Sequence, residues 1–143
     1  NAIEAENCTA KVTAGSVRSQ NMAGFKADKW SGGEQLFWSG GRPGDKLDLQ
    51  LSAKSGEMDI DVVLSCARDY AIVQLQLDGE PLGKPVDLFE ETVLTTGVLT
   101  FPKVKLKDQP HTMTIQILGA NEQAASSHMV GIDFIRFRAP ASK

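Results

Sequence analysis

From Lys46 onward, apolar residues recur at every second position in short runs, and that alternation leaves a chain of this kind few folds to adopt. Leu47, Leu49 and Leu51 alternate with Asp48 and Gln50, and Met58, Ile60 and Val62 alternate with Asp59 and Asp61. Successive side chains on a strand point to opposite faces, so such runs place apolar groups on one face and polar groups on the other. The run 72–77 passes into Asp78-Gly79, a dipeptide suited to a tight hairpin, and 81–88 leads away from it. Further runs occupy 98–106, 112–118 and 130–137, and Ile3 with Ala5, extending toward Asn7-Cys8, supplies a first strand. No stretch of ten or more residues keeps a helical period, and 121–127 offers one helical turn at most. Strands at this spacing predict an all-β protein, an antiparallel β-sandwich. Residues 13–34, rich in Gly, Ser, Asn and Lys, read as one long loop, and long loops in compact domains are often functional.

The 143 residues suffice for one domain with its own core, expected over 1–138, with 139–143 as a tail or the start of a linker. With 41% apolar and 23% charged residues the composition excludes a disordered chain. No apolar run approaches the roughly 18 residues of a membrane span. The 15 Lys and Arg are scattered and are outweighed by 18 Asp and Glu, giving a net charge of −3, so neither nucleic acid nor a membrane is an expected partner. The opening Asn1-Ala2-Ile3-Glu4 has neither a basic nor an apolar stretch of the kind that begins a targeting segment. Cys8 and Cys66 lack metal or redox spacing. Either they pair, closing a loop worth roughly 4 kcal/mol, or they are two small buried hydrophobes.

Catalytic signatures are missing. There is no G-x-S-x-G, and 40–46 is glycine-rich without the G-K-[ST] ending of a phosphate loop. His111 and His128 are the only histidines, and no pair of carboxylates is marked for acid–base work. Asn7-Cys8-Thr9 fits the short N-glycosylation pattern.

The start, Ile3-Glu4-Ala5-Glu6, is answered near the end by Gly131-Ile132-Asp133-Phe134-Ile135. On a strand, Glu4 and Glu6 would share one face about 7 Å apart. Two carboxylates so held repel unless a cation lies between them, and a third from a neighbouring strand would complete an oxygen cage suited to calcium. A solvated acidic edge is the alternative. These two end motifs resemble the terminal strands of family 6 and family 35 carbohydrate-binding modules, galactose-binding-like jelly-roll sandwiches appended to polysaccharide-degrading enzymes. The middle of the chain, from Gln35-Leu36-Phe37-Trp38 through Asp69-Tyr70 to Val86-Asp87-Leu88, is similar to modules of bacterial glycan-degrading proteins. The resemblance implies a structural calcium held by Glu4, Glu6 and Asp133. It also implies an asparagine just before the closing Ile-Asp, where it would bond the sugar; this chain has Val130-Gly131 instead.

Sugars offer apolar C–H faces rimmed by hydroxyls, so a binding site needs an exposed flat ring beside planar polar groups. Trp30, in a polar loop where no amphipathic pattern demands a buried ring, is the first candidate platform, its alternative being a loop anchor tucked under the sheet. Phe37 and Trp38 are adjacent on a strand, so one faces the core; Trp38 is the second candidate. Tyr70, after Arg68-Asp69 at a turn, is the third. Arg42, Asp69, Asn121 and His128 sit in loops and could form the polar rim. Phe89, Phe101, Phe134 and Phe137 are assigned to packing.

The expectation is therefore a secreted or periplasmic, non-catalytic carbohydrate-binding module with one structural calcium. Its partners would be a polysaccharide and a tethered glycoside hydrolase or related catalytic domain. The alternatives are an interaction domain packing against a catalytic neighbour without binding sugar, and a small glycan-active enzyme.

Overall fold

The computed structural model describes residues 2–108 and 110–140, and it is built almost wholly of β-strands. In chain order they are β1 (Ile3–Glu4), β2 (Ala10–Val12), β3 (Ser16–Asn21), β4 (Glu34–Ser39), β5 (Lys46–Leu51), β6 (Gly56–Cys66), β7 (Ile72–Leu77), β8 (Glu80–Asp87), β9 (Leu94–Thr95), β10 (Leu99–Leu106), β11 (His111–Gly119) and β12 (Val130–Arg138). They form two antiparallel sheets. The smaller runs β2-β5-β11-β7-β8; the larger runs β10-β6-β12-β4-β3, with β1 added beside β12 and β9 beside β6. The alternating runs of the sequence are these strands, and Asp78-Gly79 closes the β7–β8 hairpin with both residues at positive φ.

The core lies between the sheets. Leu47, Leu49 and Leu51 of β5, Val73, Leu75 and Leu77 of β7 and Met113, Ile115 and Ile117 of β11 face Leu36 and Trp38 of β4, Ile60, Val62 and Leu64 of β6 and Ile132 and Ile135 of β12. Trp38 is fully buried, and its indole N–H donates to the Ala14 carbonyl at 2.9 Å. That bond satisfies the one polar atom the ring carries into the core.

Strand β12 breaks its alternation at one place. Ile132 and Ile135, three residues apart, both face inward because the register against β6 shifts between Ile132 and Phe134. On its other side β12 pairs with β4 through Ile132 and with β1 from Phe134 onward. Asp133 sits at this handover.

Two local expectations are corrected. Residues 13–34 are not one loop: Ser16–Asn21 pairs along β4, an edge strand whose polar, half-exposed sequence hides its period. The first strand ends at Glu4, and Ala5–Asn7 is a single 3₁₀ turn anchored by the fully buried Ala5. Cys8 and Cys66 are both free thiols.

Candidate functional site

After β3 the chain folds back across the outer face of the larger sheet before it enters β4. Hydrogen bonds at three residues, Met22, Asp28 and Trp30, fasten this segment. Met22 N–H donates to the Gly33 carbonyl at 2.7 Å. The Asp28 carboxylate accepts from the Thr95 backbone N–H and hydroxyl at 2.9 and 2.7 Å. The Trp30 indole N–H donates to Ser65 Oγ at 2.8 Å. Trp30 is therefore a loop anchor, 7% exposed, and not a free platform. Trp38 and Tyr70 are likewise buried, at 0% and 4% exposure, so none of the three candidate rings lies open to solvent. Burial wins at each because the ring's apolar area has a sheet to cover and its polar atom has a partner.

The covering segment leaves a cleft of about 240 Å³ beside it. Its walls include Gln20 of β3, Phe37 of β4, Asp69 and Tyr70 from the β6–β7 connection, and Met22 and Phe25 from the covering segment. The Phe37 and Tyr70 rings lie 6.3 Å apart, and the Arg18 guanidinium sits 5.2 Å over Phe37. Phe25, 37% exposed, is the open aromatic of the site, and it also borders a recess of about 310 Å³ shared with Trp30. Sequence reasoning passed over Phe25, although it sits in the same polar stretch that drew attention to Trp30. Burial pushes the Tyr70 phenol up to about 12, so it keeps its proton across the physiological range.

Of the rim residues expected from sequence, Asp69 lines the cleft with its side chain half-buried. His128, at φ 53°, and Asn121 belong to the β11–β12 loop, which is tied to the cleft through Met129 N–H to the Asp69 carbonyl at 2.9 Å. Asn121 is committed elsewhere, donating to Asp87 at 2.7 Å. Arg42 is exposed in the β4–β5 turn and is not part of the cleft wall. His111 is a core residue bonded to Asp78 at 2.8 Å.

The second feature is a cluster of carboxylates. Both oxygens of Asp133 accept the Ser31 backbone N–H at 3.1 Å, while Ser31 Oγ donates to Glu4 Oε1 at 2.7 Å. Glu4 Oε2 and Glu6 Oε1 are buried without a hydrogen-bond partner. Burial, then the neighbouring charges of Glu4, Glu6 and Asp28, push the Asp133 carboxyl up to about 7. Glu6 is also raised, chiefly by burial and further by Glu4. The three acids thus share one electrostatic environment, but the 3₁₀ turn replaces the single strand face expected for Glu4 and Glu6. Among the described residues, no three His, Cys, Asp or Glu side chains form a closed metal cage.

No protein-family model matches the sequence, and no curated protein matches it significantly. The fold, in contrast, has close counterparts: it is the antiparallel β-sandwich of carbohydrate-binding modules of the family 6 and 35 kind. A family 35 module from Clostridium thermocellum superposes with a TM-score of 0.60 at 20% identity, covering 97% of this chain and 98% of that one. A family 36 module in complex with calcium and xylotriose gives 0.56 at 15% identity, with 96% and 98% covered. A Paenibacillus xanthan lyase matches at 0.78 and 19% identity over 97% of this chain, which spans only 13% of the lyase. At these identities the likeness concerns the fold.

Proposed function

We propose that this chain is a non-catalytic carbohydrate-binding module that holds a sugar in the Phe25–Phe37–Tyr70 cleft. The observation that carries this reading is the cleft's composition: an open phenylalanine, two more aromatic rings, and the polar side chains of Gln20 and Asp69 in the same wall. Apolar rings suit a sugar's C–H face, and the amide and carboxylate suit its hydroxyls. The volume, about 240 Å³, suits one sugar unit better than a long stretch of polymer. His128, on the β11–β12 loop, would extend the rim, whereas Asn121 is held by Asp87 and would not. The full-length likeness to isolated modules supports a binding rather than a catalytic role.

In this reading Glu4, Glu6 and Asp133 hold a calcium ion that ties the first strand to the last. Hard oxygen donors, two of them buried without partners, fit such a cation, and neutralising their mutual repulsion would be its contribution. The module would work outside the cytoplasm, delivering an attached or partner glycan-degrading enzyme to its polymer. No helix of the described residues is long and apolar enough to cross a membrane. The span of the chain within the xanthan lyase favours a second role, packing against a catalytic neighbour.

Affinity electrophoresis in gels containing xylan, xanthan or β-1,3-galactan tests the reading. Retarded migration on at least one of them is expected, and it should be lost in Phe25→Ala. Unretarded migration on all three, or turnover of one of them by pure protein, overturns it.

A further inference from the structure

A buried chain of hydrogen bonds runs from the covering segment to the cleft, starting from a group that can only donate. An indole N–H can only donate, so Ser65 Oγ must receive the Trp30 proton. The Ser65 hydroxyl passes its own proton to Gln35 Oε1. Gln35 is fully buried, and with its oxygen occupied in this way its amide nitrogen has to face the other side. There it donates to the Tyr70 hydroxyl at 3.0 Å and to Gln20 Oε1 at 2.8 Å. Tyr70 and Gln20 both line the cleft. Each spends its acceptor atom on Gln35. Among the described residues, the Tyr70 O–H and the Gln20 amide nitrogen donate to nothing.

We propose that Gln35 is the positioning residue of the sugar cleft, turning the Tyr70 O–H and the Gln20 N–H₂ outward as paired donors that select a sugar presenting acceptor oxygens between them. This rests on the cleft being the sugar site. Gln35 touches no ligand itself; it acts by deciding which way two wall residues present their protons. A polar group whose partner is fixed in advance loses less freedom on binding, and a site with committed donors rejects a ligand that offers only donors.

Tyr70 is the chain's single tyrosine, so its hydrogen-bonding state can be read without a ligand. The tyrosine Fermi doublet in ultraviolet resonance Raman spectra distinguishes an accepting phenol from a donating one. The wild-type spectrum should show acceptor character, and Gln35→Glu, whose carboxylate cannot donate, should shift it toward donor character. Identical spectra, or a wild-type phenol that only donates, overturn the proposal. Should Gln35→Glu fail to fold, Ser65→Ala makes the same test by freeing the Gln35 amide to rotate. In xylan, xanthan and β-1,3-galactan gels, Tyr70→Phe and Gln35→Glu should each weaken binding roughly tenfold. The double variant should be no weaker than either single one, whereas losses that multiply would show Gln35 acting independently of Tyr70 and overturn the proposal. If the wild type binds none of the three glycans, the sugar-site reading fails, and the Raman comparison still decides the hydrogen-bond direction.

Discussion

Gly131 lies flat against the side-chain carboxamide of Gln35. A Cβ at position 131 would stand 2.7 Å from Gln35 Cδ and 2.8 Å from Nε2, inside contact distance. The glycine is required for space, since its backbone is in no left-handed conformation. Gly131→Ala should therefore push the amide out of line with Ser65 and Tyr70. The expected result is a modest stability loss, about 1–2 kcal/mol by denaturant titration, with glycan retardation abolished. Full retention of binding would show that the amide's place is unimportant.

Trp30 and Phe25 lie in the same covering segment with ring centroids 6.3 Å apart, yet their burial assigns them opposite roles. Trp30→Ala removes a buried ring and leaves Ser65 without its donor, so a loss of about 3–5 kcal/mol is expected. Phe25→Ala should change stability by only about 0.5 kcal/mol while weakening glycan binding. Thermal melts and affinity gels run on both variants check the contrast.

Asp61 is a fully buried carboxylate on the outer face of β6. Arg138 reaches it at 2.6 and 2.9 Å, Arg136 at 2.7 Å and the Thr100 hydroxyl at 2.8 Å. These partners, Arg138 first, hold its carboxyl well below the usual carboxylate range in spite of burial. A depressed native pKa adds stability above the unfolded pKa of about 4 and loses it as pH falls toward the native value. Stability should thus decline with falling pH below about 4, and Asp61→Asn should flatten that decline. At neutral pH the same variant should cost about 1.5–3 kcal/mol, because both arginines remain partly exposed and recover water. Denaturant midpoints across the acid range give the measurement.

Calcium at the Glu4–Glu6–Asp133 cluster should raise the melting temperature. An ion at a hundredfold excess over its Kd adds about 2.7 kcal/mol, a shift of roughly 5–10 °C for a chain of this size. Chelator should reverse the shift, and Asp133→Asn should remove the response. An unchanged melting point with and without calcium would dismiss the ion.

The period of two along β5, β6, β7 and β11 was readable in the sequence because each of those strands turns an apolar face to the core, and the Asp78-Gly79 hairpin because its backbone needs positive φ. Strand β3 was not readable: an edge strand with Ser, Arg, Gln and Asn carries no apolar alternation. The acidic cluster was half readable. The residue types at both ends of the chain pointed to it, but the turn at Ala5–Asn7 and the bulge at Asp133, which aim the carboxylates, come from packing around Ala5 and from the change of partner along β12.

Aromatic roles depended most on the third dimension. Composition and loop context could mark Trp30, Trp38 and Tyr70 as rings of interest, but whether a ring faces water or a sheet depends on what the rest of the chain lays over it. The sequence alone determined which residues must be buried together, since alternation is a local property of each strand. Only the tertiary structure decided that Trp30 would close over Ser65, that Phe25 would stay open, and that Gln35 would stand between them and Tyr70. Those relations join residues up to 35 positions apart in the chain, and no local pattern records them.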